Sequence, residues 1–389
     1  MSRYHILLLL LMSLLGVFPL DVILPSLPAL ASEYQVEVWQ ISYSVSTFAL
    51  GVALAQILIG PLSDRMGRKR LLLAGLAVAV SGSVGCLVAP NFPVFMAMRI
   101  IQALGCGCFV LSHALVEDNC PGRERIALRI LLSSASGLFI SLSPLAGSYL
   151  QEYLGWRGGF VVFIMIGVLV AFIVMVVVEE RPTAPAGRGL FHSYGVLAKN
   201  LPFLGYSTIN ALGFTCHFSF IVISPLLLME RLGLSSLAYS WVFVGYGCSF
   251  FIGGWIARQI NRRLDPKLQV SMGLRLIGGA GLLLAVWHAV QGLSVSGVLI
   301  PMILCTTGTT ILRPAAMTSA LSGHSERGGA ATALSTTMML AIGGTLSSLV
   351  ASFEMALPLS LVLILLGTNV VGCLMLRRMG AAPREHQGG

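Results

Sequence analysis

One carboxylate lies deep in an otherwise apolar run: Asp21, in Leu20-Asp-Val-Ile-Leu-Pro-Ser-Leu-Pro28. On insertion scales an aspartate at mid-depth in a membrane helix costs about 2.5–3.5 kcal/mol, so such a group usually faces the interior of a helix bundle and serves an ion or substrate path. The competing structural role is an interfacial aspartate that caps backbone freed by Pro25 and Pro28. Arg99, in Arg-Ile-Ile-Gln-Ala-Leu-Gly105, is the cation best placed to answer it. At 1.5 Å of rise per residue the two lie about 10 Å and 8 Å below the same membrane boundary. An unpaired arginine at that depth is expensive, so an Asp21–Arg99 pair is expected, able to take up and release a proton. Gln102 follows three residues on, on the same helix face, and extends the polar cluster.

Further polar side chains sit in apolar surroundings. His113 and His217 fall in predicted spans; a lone histidine there more often packs than moves protons. With Asn210 and the aromatics around position 217 they could equally line an apolar pocket. Gln102, His113, Asn210, Phe214, His217 and Phe218 are the expected cavity residues. Arg275 and Arg313 lie nearer the cytoplasmic ends of their spans, and are expected to snorkel outward. Gly60-Pro61 is expected to end a helix, after which Asp64 stands among Arg65, Arg68, Lys69 and Arg70 with Gly67 between. A carboxylate there suits a neighbouring helix N-terminus, while the arginines reach acidic groups such as Glu117 or Asp118. Such contacts form in one conformation and break in another. Gly60, Asp64, Arg65, Gly67, Arg68 and Asp118 are therefore the expected conformational latch.

The elements that must hold these residues are written in the composition. Of 389 residues, 56% are hydrophobic and 10% charged, against roughly 25% charged in a soluble domain. Apolar runs of about 20 residues, each long enough to cross a ~30 Å hydrocarbon slab, recur twelve times, near 5–28, 38–60, 71–89, 94–116, 128–150, 159–178, 204–229, 237–257, 268–290, 295–317, 329–352 and 357–376. The expected fold is an all-α membrane protein with twelve transmembrane helices in two pseudo-symmetric six-helix halves. The first apolar run continues past Asp21 with no small-residue cleavage site, and is read as a retained span.

The net charge of +9 invites a nucleic-acid partner. The placement of the basic residues argues for topology instead: most of the 24 Lys+Arg fall in the segments that face the cytoplasm if both termini do. The hydrophilic stretch Glu179–Pro202 splits the chain into halves at 1–180 and 203–378, with a cytoplasmic linker at 181–202 and a tail at 379–389. Glycine followed by a basic cluster recurs after span two (Gly60 to Arg70) and span eight (Gly254 to Arg263), as expected of a duplicated transporter with its site near the midplane. Many span glycines read as close helix packing. None of the eight cysteines falls in an outer loop, and Cys106 and Cys108 point to different faces, so neither disulfide nor metal site is expected. With no P-loop, dinucleotide, metalloprotease or nucleophile-elbow motif, no cofactor and no enzyme activity are expected.

The stretch Gly60, Leu62, Ser63, Asp64, Arg65, Gly67, Arg68, Lys69 closely resembles the loop signature of the major facilitator superfamily. Two further stretches resemble the twelve-span drug:proton antiporters, and among them the Bcr/CflA branch of bacterial multidrug effluxers. These are Asp21…Leu24-Pro25…Leu27-Pro28 and Arg99…Gln102…Gly105, the latter with Ala103 in place of the usual glycine. Ser224-Pro225…Met229-Glu230…Gly233-Leu234 looks like the same branch. The fifth-helix antiporter motif is present as Ser143-Pro144…Gly147-Ser148, with serines for two glycines and with Pro144 and Gly147 left to kink the helix. Glu117-Asp118 stands where relatives often have Arg-Asp. The resemblance implies that Arg99 takes part in proton coupling and that Asp64 holds the inward-closed state.

The expected activity is therefore export of small, largely apolar organic compounds in exchange for protons, by a monomer in the bacterial inner membrane, with no nucleic-acid partner. The alternatives are a dedicated exporter of one metabolite such as a siderophore, a proton symporter for nutrient uptake, and a non-transporting membrane sensor. The short tail after Arg377 offers no signalling domain for the last of these.

Overall fold

The computed structural model describes residues 3–112, 115–116, 122–179, 190–261, 264–322, 328–353 and 356–381. Among them there is no strand. Eleven helical segments are long and apolar enough to span a membrane, and the predicted fifth span lies within a twelfth helix, Gly122–Leu154. The all-helical membrane architecture expected from hydropathy is the architecture found.

The chain forms two compact units. The first comprises residues 1–190, 221–248 and 344–354; the second comprises 191–220, 249–343 and 355–389. In the first unit, α1 (Arg3–Asp21) is followed by a short 3-10 turn, Leu24–Ser26, and α2 (Leu27–Tyr34). Then come α3 (Val38–Met66), α4 (Arg68–Val88), α5 (Phe92–Cys106), α6 (Gly122–Leu154) and α7 (Arg157–Val177). The core of this unit gathers Leu8, Met12, Leu15, Phe18, Phe48, Leu72, Leu76 and Phe163, where α1 packs on α6 and α7 and α4 packs on α5 and α7.

The remaining helices are α8 (Leu190–Leu197), α9 (Leu201–Ser224), α10 (Ser236–Asn261), α11 (Pro266–Gln291), α12 (Val295–Leu321), α13 (Gly328–Ser352) and α14 (Leu357–Ala381). In the second unit α11 is the central element, packed on α12 and α14. The end of α9 widens into a π-helical turn over Pro225–Arg231, in which Leu232 N–H reaches back to the Leu227 carbonyl at 3.2 Å. Pro225 has no N–H to donate, so the regular ladder cannot continue through it.

Two local expectations change. Gly60-Pro61 does not end its helix: α3 continues through both to Met66. The break falls at Gly67, whose φ of 85° is reached cheaply only by glycine. Proline forgoes one ladder hydrogen bond, whereas the turn itself demands the left-handed backbone. The second change concerns α1, which stops at Asp21 because Pro25 cannot supply the N–H that the Asp21 carbonyl would accept.

Candidate functional site

The broken first span sets the site. The last turn of a helix leaves four carbonyls without partners inside it. In α1 the Phe18 carbonyl accepts Val22 N–H at 3.0 Å, and the Pro19 carbonyl accepts a hydrogen bond from Arg99 Nη2 at 3.2 Å. Arg99 Nη1 donates to Gln102 Oε1 at 2.6 Å. Gln102 Nε2 in turn donates to Ser83 Oγ at 2.7 Å, whose hydroxyl donates to the Ala79 carbonyl at 3.0 Å. A continuous polar chain thus crosses from α4 through α5 to the end of α1. The guanidinium also lies 4.4 Å from the centre of the Phe48 ring and 5.9 Å from that of Phe160, a contact worth about 2 kcal/mol when desolvated.

Arg99 and Gln102 are together, as their spacing requires. Asp21 is not with them. It is buried, at 5% exposure, yet makes no ion pair with Arg99, whose side chain is 1% exposed. The reason is geometric. Pro19, in the last turn of α1, and Val22 and Ile23, just past its end, line a cavity of water-molecule size beside Arg99, Gln102, Trp156, Gly159, Phe160 and Phe163. Asp21, two residues past Pro19, belongs to another face. It lies within electrostatic range of Tyr239, a fully buried phenol whose hydroxyl shares a 2.9 Å hydrogen bond with Ser224 Oγ. Arg99 Nε remains buried without a hydrogen-bond partner.

Helix α6 brings the fifth-span motif to the same region. Pro144 is buried within it. Gly147 packs directly under the Val22 carbonyl, where any side chain would collide with backbone. Ser148, one of the serines that replace glycine, is not an idle substitution: its single hydroxyl proton goes either to the Ser236 carbonyl, 2.7 Å away, or to the adjacent Ser240 hydroxyl. Ser240 Oγ donates to the Pro144 carbonyl at 2.8 Å. The alanine at 103 is also accommodated, since its methyl group sits where Gly51 lacks one, 2.7 Å from the position a Cβ at 51 would take.

The other expected cavity residues assemble in the second unit. Phe214 and Phe218 stack, with ring centres 5.1 Å apart. His217 sits edge-on to Phe250 at 4.9 Å, and Asn210 Oδ1 accepts from Arg313 Nε at 3.3 Å. Arg313 does not snorkel. Its helix runs on to Leu321, four residues past the predicted span end, which places the arginine about 12 Å from the helix terminus. Its guanidinium instead contacts Asn210, Met339 Sδ at 3.0 Å and the Phe214 face at 5.3 Å. Arg275 is exposed.

His113 and Asp118 lie outside the described residues, as do the side chains of Asp64 and Arg65, although α3 carries Gly60, Asp64 and Arg65 in its last turns. Gly67 precedes α4 and Arg68 starts it, and beside them Lys69 Nζ donates to the Met175 carbonyl at 2.7 Å. Sequence reasoning missed Ser83, Phe48, Phe160, Tyr239, Met339 and the inward course of Arg313. The depth of Arg313 was recoverable in principle, because the apolar run continues past the predicted end of its span.

The chain matches the description of the Major Facilitator Superfamily over residues 9–348. It is 30% identical over 367 residues to the chloramphenicol resistance protein of Pseudomonas aeruginosa, covering 92% of this chain and 87% of that protein. It is 27% identical over 323 residues to the multidrug resistance protein MdtL of Escherichia coli strain K12, covering 80% and 79%. Among solved structures, a D-xylose-proton symporter superposes with a TM-score of 0.76 at 17% identity, covering 99% of both chains. A bacterial homologue of the human lysosomal transporter Spinster, in an inward-facing and unoccupied conformation, gives 0.71 at 17% identity, covering 97% and 96%. The chain, all helix and spanned many times by apolar segments, therefore belongs to the Major Facilitator Superfamily and is a membrane transporter, not an enzyme.

Proposed function

We propose that this transporter exports small, largely hydrophobic organic compounds in exchange for protons, across the bacterial inner membrane and with both termini cytoplasmic. The observation that carries this reading is Asp21, a carboxylate buried inside a span with no ion-pair partner among the described residues. A carboxylate so placed takes up a proton in one state of the carrier and releases it in another, the property an exchanger needs. Export rather than uptake is supported by the relatives whose names record chloramphenicol and multidrug resistance.

Asp21 is the proton-carrying group, and Arg99 acts beside it by holding the broken end of α1 in place. Proton and substrate binding must oppose one another, since antiport requires a negative coupling free energy between its two ligands. The segment from Gly60 through Asp64, Arg65, Gly67 and Arg68, with Asp118, is the latch of the cytoplasmic side. Pro144 and Gly147 give α6 the bend and close approach that let it bear on the end of α1. The halves at 1–180 and 203–378 are the bodies that move.

The test is transport in everted membrane vesicles, paired with growth of cells carrying or lacking the gene on a panel of toxic compounds. Acid-driven accumulation of a compound inside everted vesicles, lost on Asp21→Asn while the protein is still inserted, is the expected result. Accumulation in the opposite direction, or export indifferent to Asp21→Asn, overturns the reading.

A further inference from the structure

The second unit contains an arginine, Arg313, with no counter-ion among the described residues. Arg313 is half-buried on α12, eight residues before its last residue Leu321, and among the described residues it makes no ion pair. The described residues of this unit hold a single carboxylate, Asp265, the exposed residue just before α11. The guanidinium spends its donors on neutral acceptors, an amide oxygen and a thioether, while five N–H groups are available to it. A charge held at this depth with only neutral partners is costly unless something else completes it.

The surroundings say what that something is. Phe214 stacks on Phe218 and offers its face to Arg313, and Gly343 leaves the space its ring occupies, since a Cβ there would lie 2.7 Å from Phe214 Cδ1. Phe250 and Met339 continue the apolar lining and, like Phe214, are half-exposed. His217 lies within electrostatic range of the arginine. A flat apolar wall next to an under-used forked donor fits a ring that carries an oxygen acceptor.

We infer that Arg313, with Asn210 and the Phe214–Phe218 wall, forms a subsite for aromatic compounds bearing a carboxylate, nitro or carbonyl oxygen, and that it selects against aromatic cations. The inference rests on the export reading, because it names the class of compound that the exporter's cavity prefers. Arg313 donates to the acceptor oxygen, Phe214 and Phe218 cover the ring, and Met339 adapts to its outline. A cationic ring meets the like charge of Arg313, and among the described residues no carboxylate pairs with that arginine to offset it.

The test is equilibrium binding to the full chain in nanodiscs with no proton gradient, using 2-naphthoate, chloramphenicol and tetraphenylphosphonium as probes. On wild-type protein, naphthoate and chloramphenicol are expected to displace one another, and tetraphenylphosphonium to displace neither. Arg313→Gln is expected to weaken naphthoate binding about tenfold or more, the loss expected for a hydrogen bond to a charged group. Arg313→Lys should recover part of it, and Arg275→Gln, on an exposed arginine of the adjacent helix, should change nothing. Displacement of naphthoate by the cation, absence of saturable naphthoate and chloramphenicol binding, or unaltered affinity in Arg313→Gln overturns the inference. The wild-type competition decides the matter even if both Arg313 variants fail to fold. Arg313-dependent binding without export leaves the subsite standing and removes the export reading; export with Arg313-independent binding does the reverse.

Discussion

Arg99 caps the carbonyl of Pro19, not the carboxylate of Asp21. The two residues proposed for proton coupling are thereby separated into a fixed cation that closes a broken helix end and a carboxylate with no ionic partner among the described residues. Their roles should come apart under mutation.

Asp21→Asn should lower proton-driven transport at least tenfold in rate without lowering thermal stability, since among the described residues Asp21 makes no ion pair and no side-chain hydrogen bond. Protonation competes with cargo, so wild-type affinity for exported compounds should fall as pH falls. The asparagine variant should bind with an affinity flat in pH. Binding titrations between pH 5.5 and 8 check both statements.

Arg99→Lys should lose stability as well as transport. An ammonium cannot reach Gln102 and the Pro19 carbonyl with the planar fork that now serves both. The expected cost is about 1.5–3 kcal/mol, the worth of a hydrogen bond made by a charged group. A thermal-unfolding series in detergent measures it, and a variant as stable as wild type would show that the cap does not hold α1.

The contact between Gly51 and Ala103 should behave as a matched pair. Gly51→Ala forces a methyl group to 2.7 Å from the Ala103 methyl, an overpacking that costs about 1–3 kcal/mol. Ala103→Gly in the same chain should restore most of it. A double-mutant cycle with a coupling below about 0.5 kcal/mol would deny that the two positions share one space.

Ser148 and Ser240 bond one another and tie α6 to the first turns of α10. Replacing both by cysteine should allow a disulfide, since hydrogen-bonded serine pairs stand near the separation a bridge requires. Oxidation should arrest transport and reduction should restore it, as expected if these contacts open in each cycle. Full activity of a quantitatively crosslinked protein would mean that they stay closed.

The membrane architecture was legible because length and hydropathy are properties of single segments. So was the Arg99–Gln102 contact, which helical spacing fixes within one element. Height along a helix can likewise be counted in residues, and Asp21 and Arg99 were matched by height. Rotation about the helix axis cannot be counted that way once prolines break the helix: Pro25 ends α1 at the very residue whose direction mattered. For Arg313 even the height was misjudged, because the apolar run was cut at 317 while the helix continues to Leu321. Ser83 and Tyr239 carried no signal at all, being unremarkable residues made relevant by what another helix brings to them.

The widened turn at Pro225–Arg231 has a kinetic meaning. A π-turn closes each hydrogen-bonded loop with one residue more than an α-turn. Passing that surplus residue into the neighbouring segment, Leu232–Ser235, would screw the tip of the helix round by about 100°, the angle of one residue. The hydroxyl of Ser224, now bonded to Tyr239, stands at the root of this spare residue. The end of α9 can therefore re-aim its side chains by a small shuffle of the backbone, with neither the helix nor its anchoring in the bilayer having to be undone.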